Sequence, residues 1–187
     1  MSLRVAFVSH ASTDALRLAR IPADEPLNEV GRRECGRREQ MSAERVRIAP
    51  ELRAIETAQA LGLVGETDAG LSEIDYGPWR GLETDQLPPD DFMAWLTDPE
   101  FKTEGVESIV ELIQRVSAWL FTTAAAKQHT IAVTHPAVIR AAIVTALDAP
   151  ATAFWRIDIP PLSVTRFHYR GVWTLRSTGY DYPKLTP

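Results

Sequence analysis

The feature that most constrains the fold is a hydrophobic, strand-like run that ends in a histidine and occurs twice in the chain. Residues 5–9 precede His10, and residues 130–134 precede His135. Short apolar runs rich in valine, isoleucine, phenylalanine and threonine predict buried strands. Because the parallel strands of an open α/β sheet end at one common edge, where ligands bind, we expect the two imidazoles to converge on one substrate.

Helix-like and strand-like periodicities alternate along the rest of the chain. They predict strands at 3–9, 46–49, 130–134, 163–169 and 172–177, and helices at 29–41, 50–61, 84–96, 108–126 and 137–147. Pro50 is expected in the first turn of the second helix, and Pro88 and Pro89 are expected to interrupt or delay the third. No repeat or linker divides the pattern, so residues 1–187 are expected to form one domain. The alternation predicts an α/β fold, a three-layer α/β/α sandwich whose central sheet is mostly parallel with an antiparallel edge.

Composition and charge narrow the class of protein. The 187 residues are 45% hydrophobic and 24% charged, which is enough apolar material for a folded core. No apolar stretch approaches the roughly 20 residues of a membrane helix, and the first residues lack a signal-peptide cleavage pattern, so we expect a cytoplasmic protein without membrane partners. The net charge of -5 argues against a nucleic-acid partner, since counterion release needs a basic surface. The single cysteine, Cys35, provides neither a disulfide nor a cysteine-rich zinc site.

A series of short blocks, in order along nearly the whole chain, resembles the histidine phosphatase superfamily. The blocks are residues 7–13, 26–32, 52–58, 71–81, 105–108, 133–140 and 173–177. Each block alone is weak evidence, but the occurrence of all of them in the family's order argues against an accidental similarity. The phosphoglycerate mutase-like branch is the nearest, and the resemblance implies its fold.

The resemblance also implies a role for each residue of the candidate site. His10 is the expected nucleophile, which takes the phosphoryl group as a phosphohistidine. Glu73 matches the acid that protonates the leaving alkoxide and then activates water. Arg53 and His135 match the phosphate pocket, and Thr13, at the start of a predicted helix, is expected to add a hydroxyl and nearby amide donors. The family chemistry requires no metal and no other cofactor.

The chain departs from the family pattern at three places. Where the family reads Arg-His-Gly, this chain has Ser9-His10-Ala11, so a guanidinium that grips phosphate is missing. A charge-assisted hydrogen bond contributes about 1.5–3 kcal/mol, which corresponds to roughly one to two decades in binding or turnover. Pro136 replaces the usual glycine after the second histidine and has no amide hydrogen to offer, and Ser12 replaces an acid. The candidates for a replacement cation are Arg17, Arg20, Arg80 and Arg140.

Simpler structural roles stay open for the same side chains. Glu73 fits a solvated or capping carboxylate as well as an acid, and Arg53 fits a surface pair with Glu51 or Glu56 on its own helix. We favour the catalytic roles, because they occur within the ordered blocks. The two remaining histidines, at positions 129 and 168, are expected to be structural.

Two classes of function therefore follow. The leading one is a metal-independent phosphomonoesterase that acts on a small phosphorylated metabolite through His10. The alternative is a catalytically weakened relative that binds an anionic ligand or a protein partner. A phosphoglycerate mutase ranks lower, because the segment between Glu73 and His135 is short compared with the mutases that shield their intermediate from water. The identity of the substrate and the oligomeric state stay open.

Overall fold

The computed structural model describes residues 3–183, in which a single six-stranded sheet carries helices on its faces. The strands are β1 (Leu3–Ser9), β2 (Arg45–Ile48), β3 (Glu66–Thr67), β4 (Thr130–Thr134), β5 (Ser163–Tyr169) and β6 (Trp173–Asp181). The helices are α1 (Asp14–Arg17), α2 (Glu29–Cys35), α3 (Leu52–Ala60), α4 (Pro89–Thr97), α5 (Ile109–Ala126) and α6 (Pro136–Ala146). Short 3₁₀ turns occupy Ala69–Leu71, Gly77–Trp79, Thr84–Gln86 and Ala151–Arg156.

The strand order across the sheet is β3-β2-β4-β1-β5-β6. Three neighbouring pairs are parallel, namely β3 with β2, β2 with β4, and β4 with β1. β5 runs antiparallel to β1, and β6 runs antiparallel to β5, so a hairpin forms one edge. The predicted three-layer α/β/α sandwich with a mostly parallel sheet and an antiparallel edge is therefore confirmed. The single domain over residues 1–187 stays a prediction.

The centre of the sheet sets the position of the two histidines. β1 and β4 lie side by side, and Ser9 pairs with Thr134 at the end of their ladder. The backbone amide of His10 continues this pairing by donating to the carbonyl of Thr134 at 2.9 Å. All of β4 is buried, which explains its unbroken apolar run. His10 and His135 consequently leave the sheet at the same edge.

Local sequence signals set the first residues of α5 and α6. Ser108 caps α5 with its hydroxyl, which accepts a hydrogen bond from the amide of Glu111, and the Glu111 carboxylate accepts one from the amide of Ser108. This reciprocal pair is a capping box. Pro136 occupies the first turn of α6 directly after His135, where a missing amide hydrogen costs no helical bond. α5 and α6 pack against each other.

Two predicted helix boundaries are wrong. α2 ends at Cys35 rather than Met41. The backbone after it bonds to a distant segment instead of continuing the helix, since the amide of Glu39 donates to the carbonyl of Pro183 at 2.9 Å. Pro50 lies outside α3, since the Asp24 carboxylate accepts the hydrogen bond of the Leu52 amide at 2.7 Å and fixes the first turn there. Both partners are distant in sequence, so local periodicity could not reveal them.

The remaining predictions agree with the structure more closely. Pro88 and Pro89 do delay the third helix, which is split into a 3₁₀ turn and α4. α1 begins directly after Thr13, where a helix start is predicted, whereas the sequence pattern missed β3, which is too short to show a period. Within residues 3–183, no helix combines the length and the apolar character that crossing a bilayer requires. The cytoplasmic location stays a prediction.

Close contact between α2 and the backbone after His10 depends on a glycine. A Cβ atom added at Gly31 would lie 2.4 Å from the carbonyl oxygen of Ser12. We predict that Gly31→Ala lowers the free energy of unfolding by about 1–3 kcal/mol, because the backbone of Ser12 must move. Urea denaturation measures the change. Gly36→Ala is the matched control, since its added Cβ would meet nothing nearer than 3.7 Å, and an equal loss in both variants would contradict the prediction.

Candidate active site

His10 follows β1 and presents one ring nitrogen to the edge of the sheet. Its Nδ1 lies 2.8 Å from the carbonyl oxygen of Ala11. Because a carbonyl only accepts, we assign the ring hydrogen to Nδ1 and the free lone pair to Nε2. Burial, and then the nearby His135 and Arg53, lower the pKa of His10 well below its usual value. The ring is therefore neutral at neutral pH, the form that a nucleophile or a metal ligand requires.

The residue after His10 is held by α3. The amide of Ala11 donates to the hydroxyl of Thr57 at 3.0 Å, and that hydroxyl donates to the carbonyl of Arg53 at 2.7 Å. Thr57 is fully buried. One hydroxyl thus connects the loop that carries His10 to the helix that carries Arg53.

His135 is completely buried beside His10, with 5.3 Å between the centres of the two rings. Its Nε2 lies 2.7 Å from a carboxylate oxygen of Glu51, which fixes the ring orientation. Its Nδ1 lies 3.4 Å from Oε2 of Glu73 but has no hydrogen-bond partner among residues 3–183. The two expected histidines therefore do lie together, and a carboxylate stands on each side of the second one.

Arg53 is a buried cation at the start of α3. Its guanidinium donates to Oε2 of Glu73 at 3.1 Å and to the carbonyl of Ala23 at 2.6 Å, and it lies 3.7 Å from Glu25. Only 1% of its side chain is exposed. The alternative of a surface pair with Glu51 or Glu56 is wrong, because Arg53 is buried and its guanidinium contacts Glu73, Glu25 and Ala23 instead.

Glu51 belongs to the site, although the sequence pattern indicated it only as a surface partner of Arg53. Burial tends to raise the pKa of Glu51, but the hydrogen bond with His135, its charge and backbone amides outweigh burial and lower that pKa to about 2. Its other oxygen accepts a hydrogen bond from the amide of Glu73 at 3.0 Å. The available signal was an acid between a strand end and the Leu52-Arg53 block, but nothing local shows which way such a side chain points.

Thr13 and Ser9 are both buried near the end of β1. In the described part of the chain, Thr13 makes no hydrogen bond to His10, Arg53 or His135, so its predicted phosphate contact stays a prediction. The hydroxyl of Ser9 has no hydrogen-bond partner within residues 3–183. It adds no charge where the family pattern has an arginine.

Most of the candidate replacement cations are engaged elsewhere. Arg17, Arg20 and Arg80 form exposed ion pairs with Asp14, Glu83 and Asp75, respectively. Arg140 donates to the carbonyl of Ile157 at 2.7 Å and lies 5.5 Å from the ring centre of Trp155. Burial lowers the pKa of Arg140, while Tyr76, Asp158 and Glu73 act in the opposite direction. Of the four, Arg140 interacts electrostatically with Glu73 and Tyr76, and Arg80 lines two cavities beside Glu51 and Glu73.

Two cavities open beside the cluster. One has a volume of about 240 Å³ and is lined by Arg53, Glu73, Glu51 and Tyr76, among others. The second, of about 650 Å³, shares Glu51 and Glu73 with the first. Burial and the nearby Glu73 raise the pKa of Tyr76 well above its usual value, so its hydroxyl stays protonated. A small polar molecule therefore has access to both carboxylates.

Comparisons with known proteins identify the family of the chain. The model of the histidine phosphatase superfamily (branch 1) matches residues 5–179, which confirms the resemblance seen in the sequence. Phosphoserine phosphatase 1 of Hydrogenobacter thermophilus is 27% identical over 63% of this chain, and the aligned part spans 58% of that protein. Probable phosphoglycerate mutase GpmB of Yersinia pestis is 29% identical over 98% of this chain and 97% of its own.

A solved structure extends the comparison to the fold. Mycobacterial glucosyl-3-phosphoglycerate phosphatase has a TM-score of 0.80 and 24% identity, covering 96% of this chain and 100% of that one. At this identity the likeness concerns the three-layer fold alone. The family match and the phosphoserine phosphatase relative together support a phosphoric monoester hydrolase.

The hydroxyl of Thr57 provides a test of how the loop after His10 is held. We predict that Thr57→Val lowers the free energy of unfolding by about 1–3 kcal/mol, because the buried amide of Ala11 loses its acceptor. Urea denaturation measures this loss, and hydrogen exchange at the Ala11 amide should become faster.

The matched control for this test is Thr145→Val. That hydroxyl bonds only to the carbonyl of Ala141 within its own helix, so the expected change is within about 0.5 kcal/mol. A Thr57 variant as stable as the Thr145 variant, with unchanged exchange at Ala11, would show that the connection is unimportant.

Proposed function

The chain belongs to the histidine phosphatase superfamily, and from this premise we propose that it is a metal-independent phosphomonoesterase acting on a small phosphorylated metabolite. The hydrolysis runs through a phosphohistidine on His10. The observation that carries the proposal is the meeting of His10, His135, Arg53 and Glu73 at one edge of the sheet.

The first chemical step transfers the phosphoryl group to His10. The Nε2 lone pair attacks phosphorus, a P–N bond forms, and the bond from phosphorus to the alkoxide oxygen breaks. The leaving alkoxide takes a proton from the carboxylic acid of Glu73. In the second step water attacks phosphorus, its proton goes to the Glu73 carboxylate, and the P–N bond breaks to release phosphate and neutral His10.

Electrostatic stabilisation of the transferring group falls to Arg53 and His135. Arg53 has an Nε–H without a hydrogen-bond partner among the described residues, which makes it available to a nonbridging oxygen. His135 is held by Glu51 so that Nδ1 faces the same space. A hydrogen-bond donor at this position would replace part of the interaction that the family pattern assigns to the arginine replaced by Ser9.

The relatives suggest which substrates to test first. Phosphoserine and glucosyl-3-phosphoglycerate are the substrates in the names of two similar phosphatases. A panel that begins with these two and continues through phosphorylated sugars, nucleotides and glycerates would identify the preferred class. The choice of substrate depends on the shape of the two cavities beside Glu51 and Glu73.

A second candidate function rests on the charge of the site. Ser9 provides no guanidinium, and Glu25, Glu51 and Glu73 surround Arg53 or His135. This balance weakens the stabilisation of a transferring phosphoryl group and so favours low turnover. The second candidate is therefore a weakened relative that binds an anionic ligand or a protein partner without hydrolysing it. Measured turnover separates the two candidates.

We predict that the wild-type chain releases phosphate from p-nitrophenyl phosphate at mildly acidic pH without added metal, and that His10→Ala does not, because the nucleophile is lost. Release of p-nitrophenol measures the rate. His129→Ala is the control, since that ring lies away from the cluster and accepts a hydrogen bond from the amide of Arg4, and it should keep the wild-type rate. Equal rates in the wild type and His10→Ala would eliminate the nucleophile. An acid-labile phosphoryl adduct, present in the wild type and absent in His10→Asn, would be direct support.

The missing guanidinium gives a complementary prediction. Ser9→Arg should raise kcat/KM for p-nitrophenyl phosphate at least several-fold and up to about 100-fold, because one charge-assisted hydrogen bond contributes about 1.5–3 kcal/mol. Steady-state kinetics measure the change, and Ser9→Met is a control that adds volume without charge. No gain from arginine over methionine would show that another cation already performs this task.

A further inference from the structure

Three side chains of the site form a donor set that suits a metal ion as well as a phosphoryl group. His10, Glu73 and His135 each offer a ligand atom, and these atoms lie within 4.8 Å of one another. Two imidazoles and one carboxylate are a frequent donor set for zinc, which leaves a fourth position open. Ligands of tetrahedral zinc are about 3.3 Å apart, since each lies about 2.0–2.2 Å from the ion. His135 Nδ1 and Glu73 Oε2 already match this spacing at 3.4 Å. Because all three ligand atoms lie within 4.8 Å of one another, a small movement of His10 completes the set.

Both imidazoles are oriented in the way that metal-binding histidines usually are. A ligating histidine donates its other ring N–H to a carbonyl or a carboxylate, which fixes the ring and makes the free nitrogen more basic. His10 bonds through Nδ1 to the carbonyl of Ala11, which leaves Nε2 free. His135 bonds through Nε2 to the carboxylate of Glu51, which leaves Nδ1 facing Glu73. The partners that orient the ligands are therefore already in place.

An unpartnered buried atom points independently to a ligand. Nδ1 of His135 belongs to a fully buried side chain and has no hydrogen-bond partner in the described part of the chain. A buried polar atom without a partner is costly. It faces Oε2 of Glu73 at 3.4 Å in a geometry that does not make a hydrogen bond, whereas a cation between the two atoms would satisfy both.

Negative charge lies close to the cluster, beside the positive charge of Arg53. The carboxylates of Glu25 and Glu73 contact the guanidinium of Arg53, and the carboxylate of Glu51 contacts His135. Ser9 adds no positive charge beside His10, unlike the arginine of the family pattern. Arg53 repels a metal ion, but it also holds the Glu73 carboxylate, as partners of ligating carboxylates do.

We propose that His10 Nε2, His135 Nδ1 and Glu73 Oε2 bind one divalent transition metal ion of the Zn²⁺ type, with Glu51 as the residue that positions His135. The ion occupies the place of the transferring phosphoryl group. Since Nε2 of His10 cannot ligate a metal and attack phosphorus at the same time, bound metal reversibly inhibits hydrolysis. The binding itself does not depend on the proposed phosphatase activity.

Titration of the full-length, EDTA-treated and dialysed chain with Zn²⁺ alone tests the proposal. Isothermal calorimetry should show one equivalent bound, and Co²⁺ should give the visible absorption of a four- or five-coordinate site. His10→Ala should weaken binding at least about tenfold, because a ligand is lost. Glu51→Gln, which touches no metal, should weaken it about 10–100-fold through the orientation of His135. Circular dichroism shows whether each variant is folded.

The matched controls are His129→Ala and His168→Ala. These two rings line a separate cavity together with Glu44, and both variants should bind Zn²⁺ as the wild type does. Unchanged affinity in folded His10→Ala and Glu51→Gln, or loss of the bound ion in either control, would overturn the proposal. Ser9→Arg should also weaken Zn²⁺ binding, since it returns a positive charge to the site.

Inhibition distinguishes this inference from the proposed function. If the chain hydrolyses p-nitrophenyl phosphate, Zn²⁺ should inhibit with a midpoint equal to its calorimetric Kd, and EDTA should restore the rate. If the chain binds Zn²⁺ through His10 but hydrolyses nothing, the phosphatase proposal fails and the metal site stands. If Zn²⁺ does not bind and leaves hydrolysis unaffected, the metal site fails and the phosphatase proposal stands.

Discussion

The parallel pairing of β1 with β4 is the interaction on which the rest of the site depends. Its ladder ends with Ser9 opposite Thr134, and the amide of His10 adds a further bond to the carbonyl of Thr134. These are backbone hydrogen bonds inside a buried sheet, so shifting them by one residue would turn every side chain of a strand to the opposite face. The register therefore decides that His10 and His135 meet, and α3 then adds Arg53 through the hydroxyl of Thr57.

A buried cation imposes the second constraint. Arg53 is almost completely buried, and a buried charge is tolerated only when it is paired and hydrogen-bonded. Glu73, Glu25 and the carbonyl of Ala23 provide these partners. The acids that stabilise the guanidinium also reduce the positive potential that a phosphoryl group requires. The same geometry thus suits two kinds of occupant, and the charge at position 9 influences which of them binds more tightly.

Much of this arrangement was predictable from the sequence. The strands before His10 and His135 carry apolar runs that only a buried sheet explains, and the ordered blocks indicated Arg53 and Glu73 for the same site. The end of α2 and the start of α3 were not predictable, because the groups that fix them, Pro183 and Asp24, are remote in sequence. A strand as short as β3 lacks enough residues to show a period.

The sequence by itself determined the fold class, the common edge of the sheet and the identity of the chemical groups delivered to it. Apolar periodicity and strand-end residues are local properties, which a chain carries before it folds. Only the tertiary structure decided that Glu51 turns toward His135, that Arg53 pairs with Glu73 rather than with Glu56, and that the Ser9 hydroxyl stays unpaired among the described residues. Those outcomes depend on which side chains share a small volume, and that is set by packing between segments far apart in the chain.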